Sequence, residues 1–158
     1  MKVNILNNSH ETYEDFLNID PYAQPGDNKK KGNLLNLDEH VDDGEASYIL
    51  AKFILEFMDR NAASLALDNW VKKLGFGGRL DLCGYDSHAV AREYTMRGIP
   101  EEEFNKILYG DTSTPWNRKT QVLNLKWVLD ELKKRGLLIE KACVQDLKYH
   151  IIGKRNGN

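Results

Sequence analysis

The segment from Gly84 to His88 carries the residues best suited to acid–base chemistry. Asp86 and His88 lie two positions apart, so the histidine can act as a general base while the aspartate orients it. Because a helical pattern follows directly, Asp86 or Ser87 can instead accept backbone N–H groups as a helix cap. The sequence leaves both interpretations open, and Asp86 and His88 are the candidate catalytic pair.

A second candidate region is the polar loop YGDTSTPWNRKT, which begins at Tyr109. It combines aromatic and hydrogen-bonding side chains, and loops of this kind often carry function on a rigid scaffold. Such a loop can cover a site as a lid. A surface loop anchored by Trp116 explains the same composition, so this choice also stays open.

Other common chemistries lack their sequence patterns. The four histidines form no pair with i, i+4 spacing and have no cysteine pair nearby, so no metal site is predicted. The nucleophile elbow of serine hydrolases and the glycine-rich phosphate loop of nucleoside triphosphatases are also missing from the sequence.

Length and composition predict one globular domain over residues 1–158, with 41% apolar and 29% charged residues. A net charge of −2 gives no broad basic field, so there is no strong signal for nucleic-acid binding. No apolar run is long enough to span a membrane, and no signal pattern opens the chain, so a cytoplasmic location is expected. Cys83 and Cys143 lie in apolar runs and are expected to be buried thiols. A homo-oligomer is compatible with the sequence, which does not specify one.

Strand patterns alternate with helix patterns along the chain. Strands are predicted in KVNILNN, FLNID, GNLLNLDEH, Tyr48–Ala51, RLDLCGYD, LLIEKACVQD and LKYHIIGKR; helices are predicted over Asn61–Leu74, Ser87–Arg97, Glu101–Leu108 and Val122–Arg135. The segment SHETYEDF is too short for a full crossover helix. The pattern predicts an α/β fold with a mostly parallel sheet, an antiparallel C-terminal hairpin and helices on both faces.

In this order the segments resemble the small S-adenosylmethionine-dependent methyltransferases, which have a Rossmann-like fold. VNILNN stands where that family has its first strand and glycine-rich turn, and FLNID where it has a second strand with an acidic end. LDEHVDDGEASYILAKFILEFMD matches its fourth strand and leucine-glutamate element, and WVKKLGFGGRLDLCGYD its helix, glycine turn and fifth strand. The resemblance covers nearly the whole chain, and GFGGRLDL is its most specific part.

The resemblance implies that S-adenosylmethionine lies across the carboxyl ends of the first two strands. Asp20 is then placed to accept hydrogen bonds from the ribose hydroxyls. Asn7 and Asn8 stand at the turn that approaches the methionine part, and Asp38 and Glu39 stand near the adenine. The implied activity is methyl transfer to an acceptor that the sequence does not identify.

One departure from the family pattern concerns the first turn, where Asn7, Asn8 and Ser9 replace glycines. Asparagine tolerates the left-handed backbone region, so the turn can form, although its side chains occupy space that the cofactor uses. Three functions therefore stay open: a methyltransferase, a catalytically inactive methyltransferase-like module for binding or assembly, and another enzyme that uses the same crevice.

Overall fold

The computed structural model describes residues 1–157, whose strands form one seven-stranded sheet. The strands are β1 (Lys2–Ile5), β2 (Leu17–Asp20), β3 (Lys30–Lys31), β4 (Ala46–Lys52), β5 (Leu74–Tyr85), β6 (Leu137–Gln145) and β7 (Lys148–Arg155). Their order is β3-β2-β1-β4-β5-β7-β6. The pairs from β3 to β5 are parallel, whereas β7 is antiparallel to both β5 and β6. The predicted parallel sheet with an antiparallel C-terminal hairpin is confirmed.

Four α-helices accompany the sheet: α1 (Arg60–Lys73), α2 (Ser87–Met96), α3 (Glu101–Tyr109) and α4 (Leu125–Lys134). Side-chain caps fix where three of them begin, since Asp59 accepts from the Ala62 N–H, Asp86 from the Ala89 N–H and Asn124 from the Trp127 N–H. Gly136, at φ +75°, follows the end of α4 in a conformation that glycine adopts without strain. All four helices lie within one or a few residues of their predicted bounds.

The hydrophobic core lies between one face of the sheet and the helices α1 and α4. Adjacent strands place Val3, Ile49 and Leu80 side by side on this covered face. The four core residues expected from the sequence, namely Trp70, Leu74, Leu80 and Leu82, are all fully buried. The amphipathic patterns therefore identified the core correctly.

The opposite face of the sheet carries no helix in either of the first two connections, residues 6–16 and 21–29. This agrees with the expectation that SHETYEDF is too short for a full crossover helix, and the segment also offers few apolar residues for an amphipathic one. Polar side chains occupy this surface, which we call the open face: Asn4, Asn18, Tyr48, Asp81 and His150.

Hydrogen bonds satisfy the polar groups of the open face. Asn4 Nδ2 donates to Asn18 Oδ1 at 2.9 Å, and the Tyr48 hydroxyl donates to Asp81. The other Asp81 oxygen lies 2.8 Å from His150 Nε2. Burial, followed by the bond to Asp81, raises the pKa of the Tyr48 hydroxyl well above its ordinary value. Paired in this way, the polar groups can remain beside a sheet without a helical cover.

Two further expectations differ from the structure. The third strand lies at Lys30–Lys31 rather than in GNLLNLDEH, where Leu37 is buried in the core instead. Cys83 and Cys143 are free but only half-buried, because each lies beside His150 on the open face.

Among residues 1–157, no helix has the length and apolar character needed to cross a bilayer.

Candidate functional site

A cleft of about 880 Å³ opens at the carboxyl ends of the parallel strands. It is lined by residues that follow four neighbouring strands, with Asn7 after β1, Tyr22 after β2, Gly32 after β3 and Met58 after β4. In open α/β sheets, ligands bind at this edge where the strand order reverses. Its volume falls within the range of cofactor sites, about 300–1,000 Å³.

Asp20 ends β2 and is fully buried beside this cleft. Its Oδ1 accepts the Asn8 N–H at 3.1 Å and the Tyr22 N–H at 2.9 Å, which holds together the turns after β1 and β2. Its Oδ2 lies 3.1 Å from Nζ of Lys29, whose side chain is only 8% exposed. Sequence reasoning missed this partner, because Lys29 stands in a charged run that is typical of an exposed loop.

The first turn has the backbone conformation expected of an asparagine turn. Asn8 lies at φ +54°, in the left-handed region. Asn7 Nδ2 donates to the backbone carbonyl oxygen of Trp116 at 3.1 Å. The Trp116 ring packs against Tyr22 with 5.1 Å between ring centroids. The loop around Trp116 therefore contacts two residues that line the cleft, as a covering segment does.

Asp38 and Glu39 follow β3 but face different surroundings. Glu39 lines the cleft with an exposed side chain. Asp38 instead lies 2.6 Å from Lys73 Nζ and accepts from Asn69 Nδ2 at 3.1 Å, which ties its loop to α1. The hydrogen bond from Lys73, followed by that from Asn69, lowers the pKa of the Asp38 carboxyl below its usual range. Lys73 also pairs with Asp43 at 2.8 Å.

Asp86 serves as a cap in this structure. It is buried, with Oδ1 accepting the Ala89 N–H at 2.9 Å and Oδ2 accepting the Leu125 N–H at 2.8 Å. His88 is exposed in the first turn of α2, and no hydrogen bond joins it to Asp86 in the part of the chain that the structure describes. Both residues line a depression separate from the cleft, beside Arg92. Their catalytic role remains a prediction.

Sequence reasoning did not identify a buried polar cluster next to the cleft. Glu56, in the short helical turn after β4, is 4% exposed and lies 3.4 Å from Nζ of Lys119. Burial raises the pKa of the Glu56 carboxyl, while the charge of Lys119 acts in the opposite direction. A signal was present, because Glu56 is the single charged residue in the apolar run FILEFM.

Within residues 1–157, no three His, Cys, Asp or Glu side chains come together as metal ligands would.

Solved structures with the same fold are numerous, and several of them are described as methyltransferases. A 1,6-didemethyltoxoflavin N1-methyltransferase from Burkholderia thailandensis, with bound 1,6-didemethyltoxoflavin and S-adenosylhomocysteine, is 9% identical. It aligns with a TM-score of 0.62 over 99% of this chain and 72% of its own. An S-adenosylmethionine-dependent methyltransferase from Methanosarcina mazei is 14% identical, with a TM-score of 0.55 over 85% of this chain and 74% of its own.

An O-methyltransferase family protein from Burkholderia thailandensis is 15% identical, with a TM-score of 0.54 over 82% of this chain. This chain spans only 36% of that protein and 33% of the pyocyanin biosynthetic protein PhzM. No protein-family model and no curated protein matches the sequence. At these identities the likeness establishes the Rossmann-like methyltransferase fold.

Proposed function

We propose that this chain binds S-adenosylmethionine in the cleft at the carboxyl ends of β1 to β4 and transfers its methyl group to an acceptor. The observation that carries the proposal is the position of the cleft, at the edge of the sheet where open α/β folds bind their ligands. The fold is also similar to that of a methyltransferase solved with S-adenosylhomocysteine bound. One sheet and one core cluster support a single domain.

The residues of the cleft are suited to a nucleoside with an amino-acid tail. Leu34, Met58 and Ala62 supply apolar surface for a base, and Asn7 and Glu39 supply polar groups. Ligand sites commonly combine mostly apolar walls with a few polar groups that fix orientation. When bound, the cofactor supplies an electrophilic methyl group, and the contribution of the chain is to hold it and the acceptor in position and to exclude water.

We assign roles to the predicted site residues on this basis. Asp20 accepts a ribose hydroxyl and keeps the first two turns together. Asn7 and Asn8 contact the methionine part, and Glu39 lies on the adenine side, where Asp38 fixes its loop to α1. For the catalytic pair, Asp86 positions the start of α2, and the exposed His88 is the group that exchanges a proton.

A specific observation favours the second candidate, an inactive methyltransferase-like module for binding or assembly. Both carboxylate oxygens of Asp20 already have protein partners: Oδ1 accepts two backbone N–H groups and Oδ2 pairs with Lys29, which leaves room for about one more hydrogen bond. Asparagine side chains also stand where the family has glycines. A binding measurement separates the two candidates.

The experiment is a calorimetric titration with S-adenosylmethionine and S-adenosylhomocysteine. A matched pair of variants on α1 locates the site: Ala62→Phe adds a ring inside the cleft, and Leu65→Phe adds one at a position that is 63% exposed. We expect both ligands to bind, Ala62→Phe to weaken binding at least about tenfold by steric exclusion, and Leu65→Phe to have no effect. Absence of binding to the folded wild-type protein would refute the proposal and favour the inactive module.

A further inference from the structure

Asp20 is closed off from the cleft in which the nucleoside is proposed to bind. Its neighbours Pro21 and Tyr22 line the cleft, but the Asp20 side chain is 0% exposed. Although Oδ2 has room for one more hydrogen bond, an oxygen too buried for water to touch offers no path to a ribose hydroxyl. A group that covers Asp20 must therefore move before the carboxylate can bind a ligand.

The covering group that is free to rotate is the side chain of Lys29. The Asn8 and Tyr22 N–H groups that donate to Oδ1 belong to the backbone, and the turns after β1 and β2 hold them in place. Lys29 instead reaches Oδ2 at 3.1 Å with an ammonium on a flexible four-carbon stem. Rotation of that stem uncovers Oδ2 without a change in either turn.

Lys29 has a second carboxylate within reach. Asp27 Oδ2 lies 3.7 Å from Lys29 Nζ, and the Asp27 side chain is 37% exposed. The Gln24 N–H donates to the same Asp27 oxygen at 2.8 Å, which holds the carboxylate on its loop. The ammonium can therefore leave Asp20 and remain paired, so the two carboxylates define two positions of one side chain.

We propose that Lys29 is an autoinhibitory residue, which must move from Asp20 to Asp27 before a nucleoside can bind. In the closed position, its ammonium covers Oδ2 of Asp20. In the open position, it pairs with Asp27 alone and leaves Oδ2 to the ribose. A protein that binds only in a minor conformation has an apparent affinity reduced by the fraction in that conformation. The proposal rests on the proposed function, because it concerns the same ribose contact.

The direction of the effect separates this role from a purely structural one. Removing a residue that only stabilises the site would weaken ligand binding. Removing Lys29 should instead strengthen binding, because Oδ2 is then uncovered in a larger fraction of the protein. Asp27→Asn should do the reverse, because it removes the charge that receives the ammonium and so favours the closed position.

The test is a calorimetric titration of the full chain and its variants with S-adenosylhomocysteine. Lys29→Ala removes the ammonium and most of the stem, and should bind at least about tenfold more tightly than the wild type. Asp27→Asn should bind several-fold more weakly. Lys30→Ala is the matched control, since Lys30 is exposed on β3, and it should bind as the wild type does.

Two variants keep the test decisive if Lys29→Ala does not fold. Lys29→Met removes only the charge that holds the side chain on Asp20, so it should also bind more tightly than the wild type. Asp27→Asn changes an exposed loop position and gives a result of the opposite sign. Unchanged or weaker binding by the folded Lys29 variants, or unchanged or tighter binding by Asp27→Asn, would overturn the proposal.

The same titrations distinguish this proposal from the proposed function. If the wild type binds and the variants do not differ from it, the autoinhibition is overturned and the proposed function stays in place. If only the Lys29 variants bind, the autoinhibition is supported and the wild type by itself lacks the proposed function. Absence of binding to every folded protein overturns both.

Discussion

Replacing Asp20 with asparagine tests both roles of this residue, the structural and the ligand-binding. The carboxylate is fully buried, and the side chain of Lys29 is 8% exposed. Removing one partner of a buried ion pair costs about 3–5 kcal/mol when the other charge is left without a partner, and here Lys29 keeps Asp27 Oδ2 at 3.7 Å. Asparagine keeps an oxygen for the Asn8 and Tyr22 N–H groups, so we expect Asp20→Asn to cost about 3 kcal/mol, the lower end of that range.

The double variant Asp20→Asn/Lys29→Met separates the two roles. Methionine has similar length and no charge, so it removes the stranded ammonium and should restore about 2 kcal/mol of the lost free energy of unfolding. It does not restore the carboxylate. If Asp20 accepts ribose hydroxyls, S-adenosylhomocysteine should still bind about 10- to 100-fold more weakly than to Lys29→Met alone.

The assay is urea unfolding at pH 7, followed through tryptophan fluorescence, to which the buried Trp70 contributes, together with calorimetric titration of the folded variants. Asp15→Asn is the matched control, because Asp15 pairs with Lys2 on the surface and its loss should leave stability unchanged. The reasoning fails if Asp20→Asn is as mild as Asp15→Asn. The ribose assignment fails if the double variant binds as tightly as Lys29→Met alone.

Three further predictions concern the core, the first turn and the loop after β3. Leu82→Ala should cost about 2–5 kcal/mol in urea unfolding, because the side chain is fully buried, and an unmoved midpoint would contradict the packing of β5. Asn8→Gly should raise nucleoside affinity while lowering stability by up to about 1 kcal/mol; calorimetry that shows weaker binding would mean that the asparagine side chain contacts the ligand. Hydrogen bonds lower the pKa values of two carboxyl groups from an ordinary 3.8: that of Asp38 chiefly through Lys73, and that of Asp43 through Lys72 followed by Lys73. Their contribution to stability is present above about pH 4 and lost as the pH falls through the lowered values. Lys73→Met should make the melting temperature depend less steeply on pH between about pH 4 and pH 2. An unchanged pH dependence would show that these hydrogen bonds are not its cause.

The sequence predicted those elements whose cause is local. Helix α1 has an amphipathic pattern and the cap Asp59, and its predicted range of Asn61–Leu74 differs from the observed one by a single residue at each end. The left-handed turn at Asn8 also follows from the residue itself. Strand β3 was misplaced because it forms through pairing, with Ile19 opposite Lys30, and its own two lysines carry no strand pattern.

The candidate site was less predictable because its key contacts join distant segments. The Lys29–Asp20 pair depends on how the loop after β2 folds back, and the Lys29–Lys31 run alone indicates only solvent exposure. Likewise, Glu56 meets Lys119 and Gln121 only because the segment before α4 returns to β4. The unusual glutamate in an apolar run pointed to burial, but the sequence contains no sign of its partners.

Because the open face has no helix over the first two connections, the two ends of the sheet are reinforced unequally. Helices α1 and α4 support β5, β6 and β7. Strands β2 and β3 join the rest through their backbone ladders, a single fully buried core residue, Ile19, the Asn4–Asn18 hydrogen bond and the contacts of Asp20. Segments with few apolar contacts open locally at low free energy, so amide hydrogens of β2 and β3 should exchange before those of β5. A ligand in the cleft touches loops from both parts. Its binding would therefore also couple the two parts into one cooperative unit.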